Sequence, residues 1–508
     1  MAKSLATLLV EDGPGLSTDL AEQLVSQYGL SEAAARKQIS RGCVGMKRLA
    51  HLVFNKGSRF IYLEKDYRSP WFWEKLIEAL LKTNSAYSIA FAAIRERGAI
   101  PVRYFPIACG APVKQLKHLS PDTILSNMKK AGVLEEKEIP GMGACIVLSK
   151  DASLQSFLDE APRWRARLQT ERIVLNAVRD WARNLGFASY DKIEIRDEKE
   201  KLPMVGTYFW DMAGPSFLAP LMTAGNANKP KPGFLICDVL LNVEISNHGI
   251  RPFVNKYATL TSLRKLGKCL YIILAESYVP EAFFFAKQRG LVPATIKSLF
   301  GSEVANGLKQ LTDVLIDVGR GSVDPEKFNS LFEKIDKFEG AVSNIRGSLF
   351  EFLVAEAVRR NGNHVHMNFE IKNETGDKVE IDVIGVKDNI EIRFIECKGY
   401  NPKAQIDDEE IDKWIEKRIP IARRYALKTP GWKNATLVFE LWATGKLSKN
   451  AQLKIAQASA QTKKYSIKLL GPEDILDRFL QLNDTKLTYV VSQHFLAPEV
   501  TSPKTVLL

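Results

Sequence analysis

Three short stretches in the last third of the chain hold residue types that could do chemistry: Gly347-Ser348-Leu349-Phe350-Glu351, Glu380-Ile381-Asp382-Val383 and Phe394-Ile395-Glu396-Cys397-Lys398-Gly399. The run Glu391–Lys398 alternates charged and apolar residues, which predicts a strand. Side chains i and i+2 of a strand share a face, so Glu396 and Lys398 project together. Asp382, on a strand predicted over Lys378–Val386, reaches the same place. Two converging carboxylates are costly to keep ionised without a positive charge between them. A hard divalent cation with oxygen ligands, magnesium first among them, answers that need. Asp382 and Glu396 would each supply an oxygen and Cys397 its main-chain carbonyl. Lys398 would orient a water or hold a phosphate as a point charge. Glu351, on a helix predicted over Gly347–Asn361, completes the set, with Glu356 five positions on as the alternative.

The acid-x-Lys spacing by itself is common, and Glu135-Glu136-Lys137 and Glu370-Ile371-Lys372 share it. The ordered set of helix Glu, strand Asp and strand Glu-x-Lys is harder to produce by accident. A solvated hairpin face is the plain alternative. Phe394, Ile395, Cys397 and Val383 argue instead for a strand buried on both sides.

With these residues in view, the segment from about Arg346 to Tyr400 resembles the PD-(D/E)XK nuclease superfamily, in the manner of Mrr-like restriction endonucleases and archaeal-type Holliday-junction resolvases. The resemblance implies an α/β/α domain with a mixed sheet over residues 346–485. It implies catalytic Glu351, Asp382, Glu396 and Lys398, with Mg2+ or Mn2+ held by Asp382, Glu396 and Cys397. The implied activity is metal-dependent endonucleolytic hydrolysis of DNA, in restriction or anti-phage defence, by a homodimer that cuts both strands. The alternative is a DNA-binding scaffold that uses a nuclease fold as a platform. Beyond the motif, helices are predicted at Ile406–Leu427, Ser448–Lys464 and Pro472–Leu480, and strands at Asn434–Ala443 and Tyr465–Leu470. Residues 486–508 read as a tail.

The elements before the motif divide into further units. Residues 1–68 read as helices Leu16–Tyr28, Glu32–Ser40 and Met46–Phe54, then a turn into the strand Arg59–Glu64. Helices followed by a hairpin resemble a winged helix-turn-helix, in which a helix enters the major groove and a wing meets the backbone. Arg36, Lys37, Arg41, Lys47, Arg48, Lys56 and Arg59 are its candidate phosphate contacts. A second winged-helix-like unit is read over 69–152, with helices Trp71–Leu81, Ser88–Arg97 and Pro121–Lys130 and a wing at Glu138–Ser149.

Residues 160–318 repeat the order of the C-terminal elements, as a degenerate PD-(D/E)XK-like α/β domain. Leu168–Leu185 is its helix, bearing Glu171. Phe234–Leu241 is a buried strand in which Asp238-Val239-Leu240 stands where Glu-x-Lys would be, with Lys256 on the next helix as a substitute cation. Met212–Lys231 reads as a long loop. Residues 319–345 read as a helical connector.

At 508 residues, 45% hydrophobic and 26% charged, the chain fits a globular protein of about three domains. No apolar run is long enough to span a membrane, and the N-terminus has no signal-peptide pattern. Six cysteines stand singly, with no Cys-x-x-Cys pair, which points to a reducing, cytoplasmic compartment. The net charge of +12 is concentrated in residues 1–150, where 21 basic residues face 14 acidic ones. Such an excess favours a polyanion such as DNA. No Gly-x-x-x-x-Gly-Lys-Ser/Thr pattern occurs, so ATP dependence would come from a partner ATPase or helicase.

Overall fold

A computed structural model describes residues 4–139, 142–151, 154–197, 201–223, 231–263, 266–320, 342–372, 378–388, 390–400, 402 and 404–496. The chain is mixed α/β and divides into two compact units. One comprises Met1–Lys137, Ala144–Phe157 and Val178–Leu299; the other comprises Glu138–Gly143, Leu158–Ala177 and Phe300–Leu508.

The first unit opens with helix Leu5–Glu11, strand β1 (Gly15–Leu16), helices Ser17–Tyr28 and Glu32–Arg41, and strands β2 (Met46–Arg48) and β3 (Phe60–Leu63). The strands pair antiparallel in the order β1-β3-β2. The helix expected over Met46–Phe54 is absent: the segment is β2 followed by a loop. That loop carries His51 at φ 67° just before it buries Leu52 and Phe54. A left-handed residue of that kind ends a right-handed helix.

Helices Pro70–Lys82 and Ala86–Arg97 follow, each capped by a serine hydroxyl, Ser69 and Ser85. Then come β4 (Ala99–Pro101), helices Phe105–Ala108 and Pro121–Lys130, β5 (Leu134–Ile139) and β6 (Gly143–Leu148). The sheet order β4-β6-β5 repeats that of the first. One apolar core joins Leu16 and Phe60 to Phe72, Leu76, Phe91 and Ile146.

The larger sheet of this unit is built from β7 (Glu194–Ile195), β10 (Met212–Ser216), β11 (Gly233–Ile245), β12 (Cys269–Tyr278) and β13 (Val292–Thr295). A separate hairpin, β8 (Met204–Val205) and β9 (Tyr208–Phe209), precedes β10. Strands β7, β10 and β11 are antiparallel neighbours, whereas β11, β12 and β13 are parallel. Helix Arg251–Thr261 connects β11 to β12. The loop expected over Met212–Lys231 is therefore a strand in its first five residues. Its Gly214 is a requirement of packing, because a Cβ there would lie 2.9 Å from the Ile193 side chain.

The second unit contains helix Val342–Arg360 and strands β14 (His364–Lys372), β15 (Lys378–Lys387), β16 (Glu391–Lys398), β17 (Thr436–Ala443) and β18 (Ser466–Leu470). Their order is β14-β15-β16-β17-β18. The first three are antiparallel neighbours and the last three parallel ones. Between β16 and β17 the chain is helical over Asp408–Lys413 and Ile419–Lys428, joined by a π-helical stretch, Trp414–Arg418.

Apolar cores cover both faces of this sheet. Leu349, Leu353, Val383, Ile395 and Ile475 lie in one, and Ile384, Phe394, Trp414, Ile421 and Ile455 in the other. The stretch read as a tail from 486 begins inside helix Thr485–Phe495, whose Leu487, Val490, Val491 and Phe495 are buried in the first of these cores. Ala166 and Ile173 pack there too, so Glu171 belongs with the second unit rather than with the β7–β13 sheet. Most of the connector read at 319–345 lies outside the described residues.

Candidate active site

Strand β16 is central in its sheet, and its last residues carry the candidate side chains. Glu396 is 2% exposed, and its Oε1 takes the Lys398 ammonium at 3.1 Å and the Arg418 guanidinium. Lys398 also reaches Glu410 at 2.7 Å, and Glu410 accepts the Tyr400 hydroxyl at 3.1 Å. From the neighbouring strand, Asp382 accepts the main-chain amide of Cys397 at 2.7 Å. That bond fixes the Asp382 carboxylate beside the Glu396–Lys398 segment. Cys397 contributes its amide to this arrangement.

Glu351 comes from helix Val342–Arg360. Its approach depends on Gly399, where a Cβ would overlap Phe350. Glu351 lies in the electrostatic field of Glu380, Glu396 and Lys398, and its carboxyl is pushed up to about 8, by burial first and Glu380 next. Burial, then Glu396 and Glu351, raise Asp382 well above its ordinary value. Lys398 is held cationic: burial opposes its charge, but Glu396 and Glu410 outweigh it. Glu356, the alternative to Glu351, is instead buried against Arg359 and Arg360, at 2.8 and 2.6 Å. The rival Glu370 sits on β14, opposite Glu380.

Among the described residues, no three His, Cys, Asp or Glu side chains are gathered into a cation cage. Magnesium, however, is commonly held by one or two carboxylates together with waters and substrate phosphate. The charge distribution fits such an ion. Lys398 and Arg418 serve Glu396 and Glu410, while Asp382 is answered by an amide and by the field of Arg418, and stays repelled by its acidic neighbours. Asp382 and Glu396 are the pair that would hold the ion.

The other five-stranded sheet repeats the acid pair, its amide bond and its helix-borne cation. Met212 is paired with Cys237, so Asp211 falls opposite Asp238; Val383 is paired with Ile395, so Asp382 falls opposite Glu396. Asp211 accepts the amide of Val239 at 2.8 Å, as Asp382 does that of Cys397. Lys256 holds Asp238 at 2.5 Å from the helix after the strand, as Arg418 holds Glu396. Leu240 stands where Lys398 would be. The set is sealed: Asp238 and Lys256 are each 1% exposed, Arg196 binds Asp211 at 2.8 Å, and Tyr271 donates to Asp238 at 2.5 Å.

Of the N-terminal cations, Arg36, Lys37, Arg41, Lys47, Arg48 and Lys56 are exposed and Arg59 is partly so. Arg48 donates to the carbonyls of Ile39 and Ser40, and Arg59 to that of Leu52, so both also tie the fold together. Arg36, Arg48, Lys56 and Arg59 line one groove of about 600 Å³ with Ser17, Thr18, Glu22 and Glu32.

Arg418, Glu410 and Tyr400 were not singled out from the sequence. A signal for Arg418 exists in Pro420, which cannot donate within a helix and marks the irregularity that ends two residues before it. No family model matches the chain, and neither a curated protein nor a solved structure does.

Proposed function

We propose that the chain is a metal-dependent DNA endonuclease whose reaction centre is Glu351, Asp382, Glu396 and Lys398. The observation that carries this reading is the bond from the Cys397 amide to Asp382, which sets one carboxylate beside a strand that bears both Glu396 and Lys398. A cation held by Asp382 and Glu396 supplies Lewis acidity at a scissile phosphate. Lys398, kept charged by two carboxylates, holds a phosphate oxygen or a water. Glu351 retains a proton at neutral pH when no cation relieves it, and so can give one up nearby. The order of strands in the second unit supports a PD-(D/E)XK-type core, and the β1-β3-β2 and β4-β6-β5 sheets with their helices support winged units that deliver DNA.

Magnesium-dependent cleavage of duplex, branched or modified DNA tests the reading. Activity should disappear in Asp382→Asn and Lys398→Ala proteins; unchanged activity in both rejects the assignment.

A second reading, a DNA-binding platform without catalysis, is favoured by the β7–β13 sheet. There the same acid pair is sealed by the protein's own cations. A platform would show neither a magnesium-dependent thermal shift nor cleavage.

A further inference from the structure

We propose that Arg418 is a built-in counter-cation that competes with a divalent ion for Glu396 and so sets the ion concentration at which the site fills. The inference rests on the nuclease reading and adds a regulatory residue to it.

The guanidinium of Arg418 and the ammonium of Lys398 converge on one oxygen, Oε1 of Glu396. An ion ligated by that carboxylate must contend with both. Lys398 has a second carboxylate, Glu410, to keep it in place. Arg418 has Glu396 and the fields of Asp382 and Glu380. A guanidinium stays charged at any working pH, so it cannot leave by losing its proton and must swing away. It has a route. The Arg418 side chain is 33% exposed, although the carboxylate it holds is 2% exposed. The backbone is anchored on both sides by buried Trp414 and Ile419, so the side chain can move while its attachment stays fixed. The π-helical stretch that ends at Arg418 alters the side-chain direction relative to a regular helix.

The sealed copy shows what a permanent ion pair in this slot looks like. Lys256, at the same place between the third and fourth strands, holds Asp238 and also contacts the Ile107 carbonyl at 3.3 Å and the Trp210 ring at 4.0 Å. Burial leaves it no way out. Arg418 occupies the corresponding slot with one face left to solvent, which is the arrangement of a latch.

The test is calorimetric titration of the metal-free full-length protein with Mn2+ and with Mg2+, alongside Arg418→Ala, Arg418→Gln and Asp382→Asn. Arg418→Ala should bind the ion roughly tenfold tighter than the wild type. Arg418→Gln, which loses the charge but keeps a donor, should fall between the two. Should the alanine variant fail to fold, tighter binding by Arg418→Gln supports the latch on its own. Equal or weaker binding by the folded Arg418 variants, with the wild type binding and Asp382→Asn not, overturns the latch and leaves the nuclease reading standing. No ion bound by wild type or Arg418 variants, all folded by circular dichroism, overturns both.

Discussion

Asp382 and Asp211 occupy one and the same position in two different sheets. Each accepts the main-chain amide of the residue that follows the acid on the next strand, Cys397 at 2.7 Å and Val239 at 2.8 Å. The bond gives Asp382 a structural role that mutation can tell apart from the proposed catalytic one. Asp382→Asn keeps an acceptor for the amide, so the melting temperature should hold or rise while cleavage falls at least 100-fold. Asp382→Ala leaves the Cys397 amide without that partner and should cost about 1–3 kcal/mol as well. Urea unfolding beside a cleavage assay measures both.

The sealed pair predicts a pure stability effect. Lys256→Met leaves Asp238 buried beside Asp211 without its cation, and should destabilise the protein by about 3–5 kcal/mol. Asp238→Asn combined with Lys256→Met should recover most of that loss. Cleavage per folded molecule should not change in the double variant, because the reaction is assigned to the other sheet.

Gly399→Ala tests how helix Val342–Arg360 is seated. The added methyl meets Phe350, next to Glu351, and the helix must shift or the ring must turn. A cost of about 1–3 kcal/mol is expected. Activity should fall further than stability does, since Glu351 moves with its neighbour.

The raised carboxyl groups fix the sign of a pH effect in metal-free protein. Glu351 is pushed from 4.5 to about 8, by burial and then Glu380, and Asp382 is raised too. Between those values the folded chain holds protons that the unfolded chain has released, so stability falls as pH rises. The melting temperature in a chelator should therefore decline from pH 5 to pH 8. Glu351→Gln should flatten part of that slope, and so should millimolar Mg2+.

For the N-terminal cations the salt dependence of DNA binding is the discriminating measurement. Lys37→Ala and Arg41→Ala should each weaken binding on all sequences and lower the slope against log salt by about 1. Arg48→Ala should in addition lower the melting temperature, since its guanidinium holds the carbonyls of Ile39 and Ser40.

Much of the candidate site could be read along the chain because its signals are local. Alternation marked β16, a continuous apolar run marked β11, and a register of two set Glu396 and Lys398 on one face. Contacts between distant residues could not be read that way. Arg418 reaches Glu396 across 22 positions of sequence. Strand β10 hid behind Gly214 and Pro215, which signal a turn by composition but here line a crowded sheet. Helix Thr485–Phe495 is defined by the core it enters, and strand β2 at the head of Met46–Phe54 by the strand β3 with which it pairs. The repeat of Asp211 and Asp238 became exact only once the pairing of β10 with β11 was known.

Two sheets of identical strand order in one polypeptide also create a hazard during folding. A hairpin built for one sheet offers nearly the same hydrogen-bonding edge to the other, and misassembly of this kind is a recognised failure of repeated architectures. Synthesis from the N-terminus lets β10 and β11 find each other before β15 and β16 exist. Refolding of the whole chain from denaturant removes that ordering, and should give a lower yield of native protein than translation does.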